Sequence, residues 1–444
     1  MSLGTLTVND AKDGFLLDGR PWFWLADTCW SAFTSVSLED WDYYLARRAE
    51  QGVNVLQVNT LPQWDRCRPD LGIYPYASED GTRFDWGSPN PAYWERARTM
   101  AEMAEAHGIR LALVLIWCNV VPGTGGAAIA EKTGSSLMPV EGACAHVRRV
   151  VAELGSFDPV YIVSGDTDFK SEETIAYYDR VLDEVCDAAP GALRCLHINR
   201  GNRTIPEGYL DRLDFYLYQP GHNYAAQYEA WRLPEDLRGT YPKKPMLNSE
   251  PCYEQMGASR NVYWRFSAHD CRASAWAGIL AGASAGVTYG AHGVWNWQTS
   301  ASAGSVLGEG FDASFRWQEC LQFPGVWDFG LIPEILRGLG QGEAPSVRPA
   351  QELLDDAREQ IRVGAVGNSI VAYLPFATKL KLKGLDEVLP DAAAWSATAF
   401  DLETKRLARL QVEADSEGDC LSVPQHPFEH DALVVVEGLP TERS

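Results

Sequence analysis

From residue 23 to residue 297 the chain alternates between short apolar runs and amphipathic stretches of helical period. FWLADT (23–28), VNVLQVNT (53–60), IRLALVLIW (109–117), PVYIVSGD (159–166), LRCLHINR (193–200), DFYLYQP (214–220), PMLNSEP (245–251) and GVTYGAHGVWNW (286–297) read as eight strands. Helical stretches separate many of them: SLEDWDYYLARRAEQG (37–52), PAYWERARTMAEMAEAHG (91–108), EGACAHVRRVVAEL (141–154), SEETIAYYDRVLDEVCDAAPG (171–191) and VYWRFSAHDCRASAWAGILAGAS (262–284). Ser37 offers an N-cap and Gly52 a stop, Pro91 sits in a first turn, and Ser171 with Thr174 approximates a capping box. IRLALVLIW is apolar nearly throughout, as a parallel strand covered on both faces should be. Eight such units in series predict an α/β fold, a (β/α)8 TIM barrel. FLLDGRPWFWLA, turning at Asp18-Gly19, predicts a β-hairpin ahead of it. After about residue 345 helix-length segments stop, and IRVGAVGNSIVAYLPF, AAWSATAFDLETKRLARL and ALVVVEGLP read as short strands. The expected division is a barrel with its hairpin over 1–342 and a small antiparallel β-sandwich over 343–444.

Bulk numbers exclude some partners. A net charge of −22 argues against nucleic acid and against anionic membrane surfaces, both of which select basic patches. No apolar run reaches the roughly eighteen residues of a membrane span. The first residues carry no basic region followed by an apolar core, so no signal peptide is expected. None of the ten cysteines forms a CxxC pair, and several fall inside apolar segments. Reduced, buried thiols and a cytoplasmic location are expected. Neither HExxH nor finger-like spacing occurs, so no metal or organic cofactor is implied. Nothing in the sequence addresses the oligomeric state.

Chemistry concentrates in VYIVSGDTD (160–168) and KPMLNSEPCYE (244–254), two apolar strands that end in Asp166 and Glu250. About eighty residues separate the two carboxylates, room for strands five and six, so they close strands four and seven on one rim. A carboxylic acid and a carboxylate facing each other across a barrel mouth are what glycosidic hydrolysis requires, and a retaining enzyme sets them about 5–5.5 Å apart. Asp168 competes with Asp166 for the role of acid. Glu254 reads as a supporting or solvent-facing group. Other strand ends carry residues suited to sugar hydroxyls and sugar C–H faces: Asp27, Trp30, Asn59, Trp117, His197, Tyr218, Gln219, His222, His292 and Trp295. Trp295 is the leading platform, Asp27 is balanced between substrate and structure, and Asn248 or Gln219 would hold Glu250 ionised. GTGGAA (123–128) lacks phosphate-loop spacing and reads as a mobile loop.

These residues carry a resemblance. WLADTCW (24–30), GVNVLQVN (52–59), Gly165-Asp166, Gln219-Pro220-Gly221-His222, KPMLNSEPCYE and GVTYGAHGVWNW resemble the DUF4038 group, the apiosidase-like barrels of glycoside hydrolase family 140. The likeness spans roughly residues 5–340, and the C-terminal β module also looks like the one in that group. It implies Asp166 as acid/base and Glu250 as nucleophile. The chain departs from the pattern at Ser164, where Gly is expected, and at Ile198, where Pro is expected, so the sugar is not carried over. The implied activity is a glycoside hydrolase, retaining and exo-acting on a small glycoside or oligosaccharide. A metal-dependent hydrolase or lyase is one rival, and a non-catalytic sugar-binding barrel is the other.

Overall fold

The computed structural model describes residues 3–258, 263–300, 313–340, 346–385, 388–389, 392, 394–414 and 420–439. Three short antiparallel strands come first: β1 (Leu6–Val8), β2 (Phe15–Leu17) and β3 (Arg20–Trp22). The turn between β2 and β3 falls at Asp18-Gly19, both at positive φ (49° and 76°), as a two-residue hairpin requires.

Eight parallel strands then form the barrel: β4 (Trp24–Thr28), β5 (Val55–Asn59), then β8 (Arg110–Trp117) beyond a hairpin of β6 (Tyr76–Ala77) and β7 (Asp85–Pro89). β9 (Val160–Gly165), β10 (Arg194–Cys195), β11 (Tyr216–Tyr218), β12 (Met246–Asn248) and β13 (Gly286–Tyr289) complete it. The hydrogen-bonded order is β10-β9-β8-β5-β4-β13-β12-β11. The barrel is nearly closed, with its seam between β10 and β11. Asp214 spans the seam: its N–H donates to the Arg194 carbonyl (2.9 Å) and its carboxylate accepts from the Arg194 N–H (2.8 Å).

The helix starts expected from sequence are present. Ser37 accepts from Asp40 N–H at 3.0 Å, and Ser171 accepts from Thr174 N–H at 3.0 Å. Ser267 and Asp270 form a full capping box, so that helix begins at Ala268; residue 262, its expected start, lies outside the described residues. A helix over Glu229–Thr240 was not expected, because Pro234 and Gly239 break its pattern in sequence. Another, Ala127–Thr133, grows out of the glycine-rich stretch.

Strands eight and five are much shorter than expected: strand eight ends at Tyr289 rather than 297, the chain beyond it forming turns. Strand five, instead of 193–200, is only Arg194–Cys195. Its pairing, Arg194 with Tyr161 and Cys195 with Ile162, would set Ile198 opposite Gly165 if continued. Ile198 instead bridges Thr167. The slip comes from extra chain on the β9 side, where Asp166 takes a left-handed conformation (φ 46°) and bulges.

The C-terminal region is antiparallel. A six-stranded sheet holds β14 (Val347–Pro349), β15 (Arg362–Val366), β16 (Ser369–Leu374), β18 (Ala394–Asp401), β19 (Leu407–Leu410) and β22 (Ala432–Leu439). A three-stranded sheet holds β17 (Leu380–Lys383), β20 (Glu413–Ala414) and β21 (Cys420–Val423). Leu380, Leu382, Leu421 and Val423 of the small sheet share one apolar cluster with Ile370, Ala372, Val434 and Val436 of the large one. The expected boundary at 342/343 lies outside the described residues. Arg272, on the helix after β12, meets this region: it pairs with Asp431 and with Asp328, each at 2.7 Å. All ten cysteines are free, eight of them buried. Among the described residues no helix is long and apolar enough to cross a membrane.

Candidate active site

Asp166 follows directly on β9 and Glu250 lies two residues past the end of β12, two barrel strands that run parallel and so end on the same rim. One oxygen of each carboxylate and one ring nitrogen of His197 lie within 4.8 Å of one another. The local sequence explains why Asp166 projects inward. Its φ of 46° is rare for a residue with a side chain, though aspartate tolerates it better than most, and it turns the chain end out of the strand path. The residue before it must be glycine: a Cβ on Gly165 would stand 2.3 Å from the Trp117 ring. Glu250 is fixed through its own backbone, whose N–H donates to the Asn248 side-chain oxygen at 3.3 Å.

His197 sits between the carboxylates. Its Nδ1 is 3.5 Å from Asp166 and its Nε2 is 3.2 Å from Glu250. The second contact is an ion-pair distance without good hydrogen-bond alignment, since Nε2 and the facing Glu250 oxygen are both buried and make no hydrogen bond. Attraction there is electrostatic. Trp30 and Trp117 enclose the imidazole, with ring centroids 5.4 and 5.7 Å from it. His222 grips the other Glu250 oxygen at 2.9 Å. His222 Nδ1 accepts from the Tyr253 N–H at 3.3 Å, which leaves Nε2 as the nitrogen that donates to Glu250. Gln219 donates to Asp166 at 2.6 Å and to the Ile198 carbonyl at 3.0 Å, which also ties the barrel seam.

These surroundings push the two carboxyls apart. Burial, reinforced by the charge of Glu250, raises Asp166 to about 6, against the smaller opposing pull of His197 and Gln219. Burial also works to raise Glu250, but the two imidazoles set against it, His197 and His222, outweigh it and lower the group to about 2. His197 is itself raised: burial opposes its charge, and the two carboxylates overcome that. Near pH 5 the site therefore holds one carboxylic acid and one carboxylate. The donors differ from those expected. Two histidines hold Glu250, while Gln219 donates to Asp166 and the Asn248 side-chain oxygen accepts from the Glu250 N–H.

Other residues singled out in the sequence are divided. His197, Gln219, His222, Trp30 and Trp117 gather at the pair. Asn59 ends β5 and spends its amide locally, donating to Gln63 at 2.8 Å and accepting from the Leu61 N–H at 3.1 Å. Trp295 is buried, and its backbone carbonyl receives the Ser31 N–H. Asp27 is turned into structure. Its carboxylate accepts from Arg48 (2.5 Å), Tyr44 (2.7 Å) and the Thr28 N–H (2.8 Å), and both charged side chains are fully buried. Tyr218 faces outward, donating to the Ala230 carbonyl on the neighbouring helix. His292 lies against the Gln255 carbonyl and Arg265. Glu254 is not solvent-facing; it is buried and accepts from Tyr289 (2.6 Å) and the Gly325 N–H (2.9 Å).

Two participants went unread. Tyr253 receives the Trp30 indole N–H at 3.2 Å and packs on His222 with centroids 4.3 Å apart; its place three residues past Glu250 was the available signal. Arg48 was the other. It follows Trp41 and Tyr44 on the buried stripe of its helix, where a charge implies a buried partner. Asp166, His197 and Glu250 offer the donor types of a divalent metal site. His197, however, turns different nitrogens to the two carboxylates, which suits a bridge between them better than a shared ligand.

With this geometry in hand, comparison with known proteins is informative. The sequence profile described as "Apiosidase-like, catalytic domain" matches residues 12–341. The chain belongs to the apiosidase-like family. It therefore carries a glycosidase catalytic domain. No curated protein matches it. Among solved structures, a glycoside hydrolase family 5 protein from Bacteroides vulgatus superposes with a TM-score of 0.78 at 19% identity, covering 98% of this chain and 93% of that one. A second, described as a glycoside hydrolase, gives 0.77 at 18% identity, covering 100% and 98%. A noncanonic maltogenic alpha-amylase, AmyB from Thermotoga neapolitana, gives 0.53 at 9% identity, covering 94% and 99%. At such identities these likenesses speak for the fold alone.

Proposed function

We propose that this apiosidase-like protein is a retaining, exo-acting glycoside hydrolase in which Asp166 is the acid/base and Glu250 the nucleophile. The observation that carries the reading is the pair itself: two carboxyls within 4.8 Å, one environment favouring the proton and the other the charge. In the first step Glu250 attacks the anomeric carbon while Asp166 passes its proton to the departing glycosidic oxygen. In the second, Asp166, now a carboxylate, takes a proton from water as that water attacks the same carbon and frees Glu250. His197 and His222 keep Glu250 ionised between turnovers, and Trp30 and Trp117 shape the wall beside it.

A small glycoside or oligosaccharide suits a mouth where the Trp30 and Trp117 rings meet with centroids 5.1 Å apart and Trp64 and residues 124–126 line the space beside Asp166. The sugar and linkage stay open. Ten free cysteines support a reducing, cytoplasmic setting. The C-terminal sheets keep an apolar cluster of their own, which supports a division near 342/343, while Val366, Val371, Tyr373 and Leu433 join the barrel's cluster across it. A panel of nitrophenyl glycosides tests the activity. Turnover is expected with one or a few sugars, and Glu250→Gln and Asp166→Asn should each abolish it. Undiminished turnover in either variant would refute the assignment and redirect it to Asp168 or Glu254. Binding without turnover would favour a sugar-binding barrel.

A further inference from the structure

Beside Asp166 opens a pocket of about 200 Å³, lined by Trp64, Cys118, Asn119, Thr124, Gly125, Gly126, Asp166, Asp168 and Asn199. Its outer wall is the glycine-rich stretch, which is pinned down. Thr124 donates to the carbonyls of Cys118 (2.6 Å) and Val121 (2.8 Å), and accepts from the Ala127 N–H at 3.1 Å. A Cβ on Gly126 would stand 2.7 Å from the Asn119 backbone nitrogen, so the wall lies against the end of β8 as only glycine permits. The acid of a glycosidase stands on the leaving-group side of the bond it protonates. Asp166 lines this pocket and Glu250 does not, so the pocket extends away from the nucleophile on that side.

The lining has a definite chemistry. Trp64 offers a flat face, and Asn119 and Asn199 offer amides to hydroxyls. No lysine, arginine or histidine is among the lining residues, whereas two carboxyls are. With Asp166 protonated for catalysis, Asp168 is the standing charge. Its nearest cation, Lys170 at 3.2 Å, is 81% exposed and so is heavily screened by water. Cys118 reports the same field: its buried thiol is pushed up by burial, and then by the charges of Asp166, Asp168 and Asp65.

We infer that this pocket is the leaving-group subsite, and that it takes an uncharged polyhydroxyl leaving group such as a neutral sugar while disfavouring a uronate. The inference rests on the proposed roles of Asp166 and Glu250. A uronate would bring its carboxylate beside Asp168, whose partner Lys170 is solvent-screened and outside the lining, and like charges in a confined site are strongly unfavourable. Neutral hydroxyls can instead donate to Asp168 and bond to both amides.

The test uses two matched disaccharides. Both carry the non-reducing sugar of whichever nitrophenyl glycoside the enzyme turns over; one has glucose and the other glucuronate as leaving group. The expected kcat/KM favours glucose by about tenfold or more. In Asp168→Asn the ratio should shrink to about threefold or less, through gain on the uronate. Salt at about 0.5 M should narrow the wild-type ratio in the same direction. Equal rates on the two disaccharides, a preference for the uronate, or a ratio unmoved by both Asp168→Asn and salt would overturn the inference while leaving the hydrolase standing. Failure to cleave any nitrophenyl glycoside would bring down the proposed activity and the inference with it.

Discussion

At the scale of single residues, the site is a lesson in how environment assigns roles to identical functional groups. Asp166 and Glu250 differ little in free solution, and their neighbours separate them. The pH profile of kcat/KM should show it. Activity needs Glu250 ionised and Asp166 protonated, so the rate rises through about pH 2 and falls as pH rises through about 6. His222→Phe removes a donor to Glu250 and should move the acid limb upward; an unmoved limb would show that His222 does not hold that charge. Asp27 illustrates a group whose value is structural. Asp27→Asn leaves the Arg48 guanidinium buried without its counter-ion, which costs about 3–5 kcal/mol. Denaturant unfolding should record that loss, while KM of the remaining folded enzyme stays near wild type. A raised KM with unchanged stability would return Asp27 to the substrate. Treatment with a chelator should leave turnover unchanged, and loss of activity restored by zinc would favour the metal reading of Asp166, His197 and Glu250.

Elements explain what the sequence disclosed and what it hid. Periodicity located the barrel strands, because parallel strands buried on both faces are apolar runs with few rivals, but it carried strand eight past its end at Tyr289. Glu250 was legible for the same reason, as a charge ending such a run. Strand five was overread: the bulge at Gly165-Asp166 belongs to its neighbour, and no pattern within 193–200 reports what the adjacent strand does. Histidines 197 and 222 were visible as polar strand ends, but which carboxylate each would serve depends on contacts across the barrel. Arg48 hid in a helix that looks ordinary. Gly165 gives the sharpest test at this scale. Gly165→Ala drives a methyl into the Trp117 ring, which has His197 behind it, so the wall and the neighbouring Asp166 must both shift. A drop in kcat of about a hundredfold is expected with secondary structure intact by circular dichroism. Activity within twofold of wild type would show that the ring yields at little cost.

Across the whole molecule, the barrel and the C-terminal sheets meet through buried charge. Arg272 reaches Asp431 and Asp328, and Asp431 also receives the Tyr373 hydroxyl at 3.2 Å. His269 adds a contact with the Pro375 carbonyl at 3.0 Å. Arg272→Ala leaves the buried Asp431 without its cation, while Asp328 keeps Lys405 at 2.6 Å, at a cost of about 3–5 kcal/mol. Thermal unfolding should shift down by several degrees or split into two transitions, while turnover at low temperature persists because the site lies on the barrel rim. An unchanged melting curve would mean that the apolar contacts carry the interface alone.

The central claim is that Glu250 attacks the sugar. Incubating the enzyme with a 2-deoxy-2-fluoro glycoside bearing a good leaving group, built on the sugar it hydrolyses, slows the second step and traps any covalent intermediate. Peptide mass spectrometry should find the fluorosugar ester on the peptide containing Glu250, and none in Glu250→Gln. An ester on another carboxylate, or turnover that inverts the anomeric centre with no adduct at all, would contradict the account.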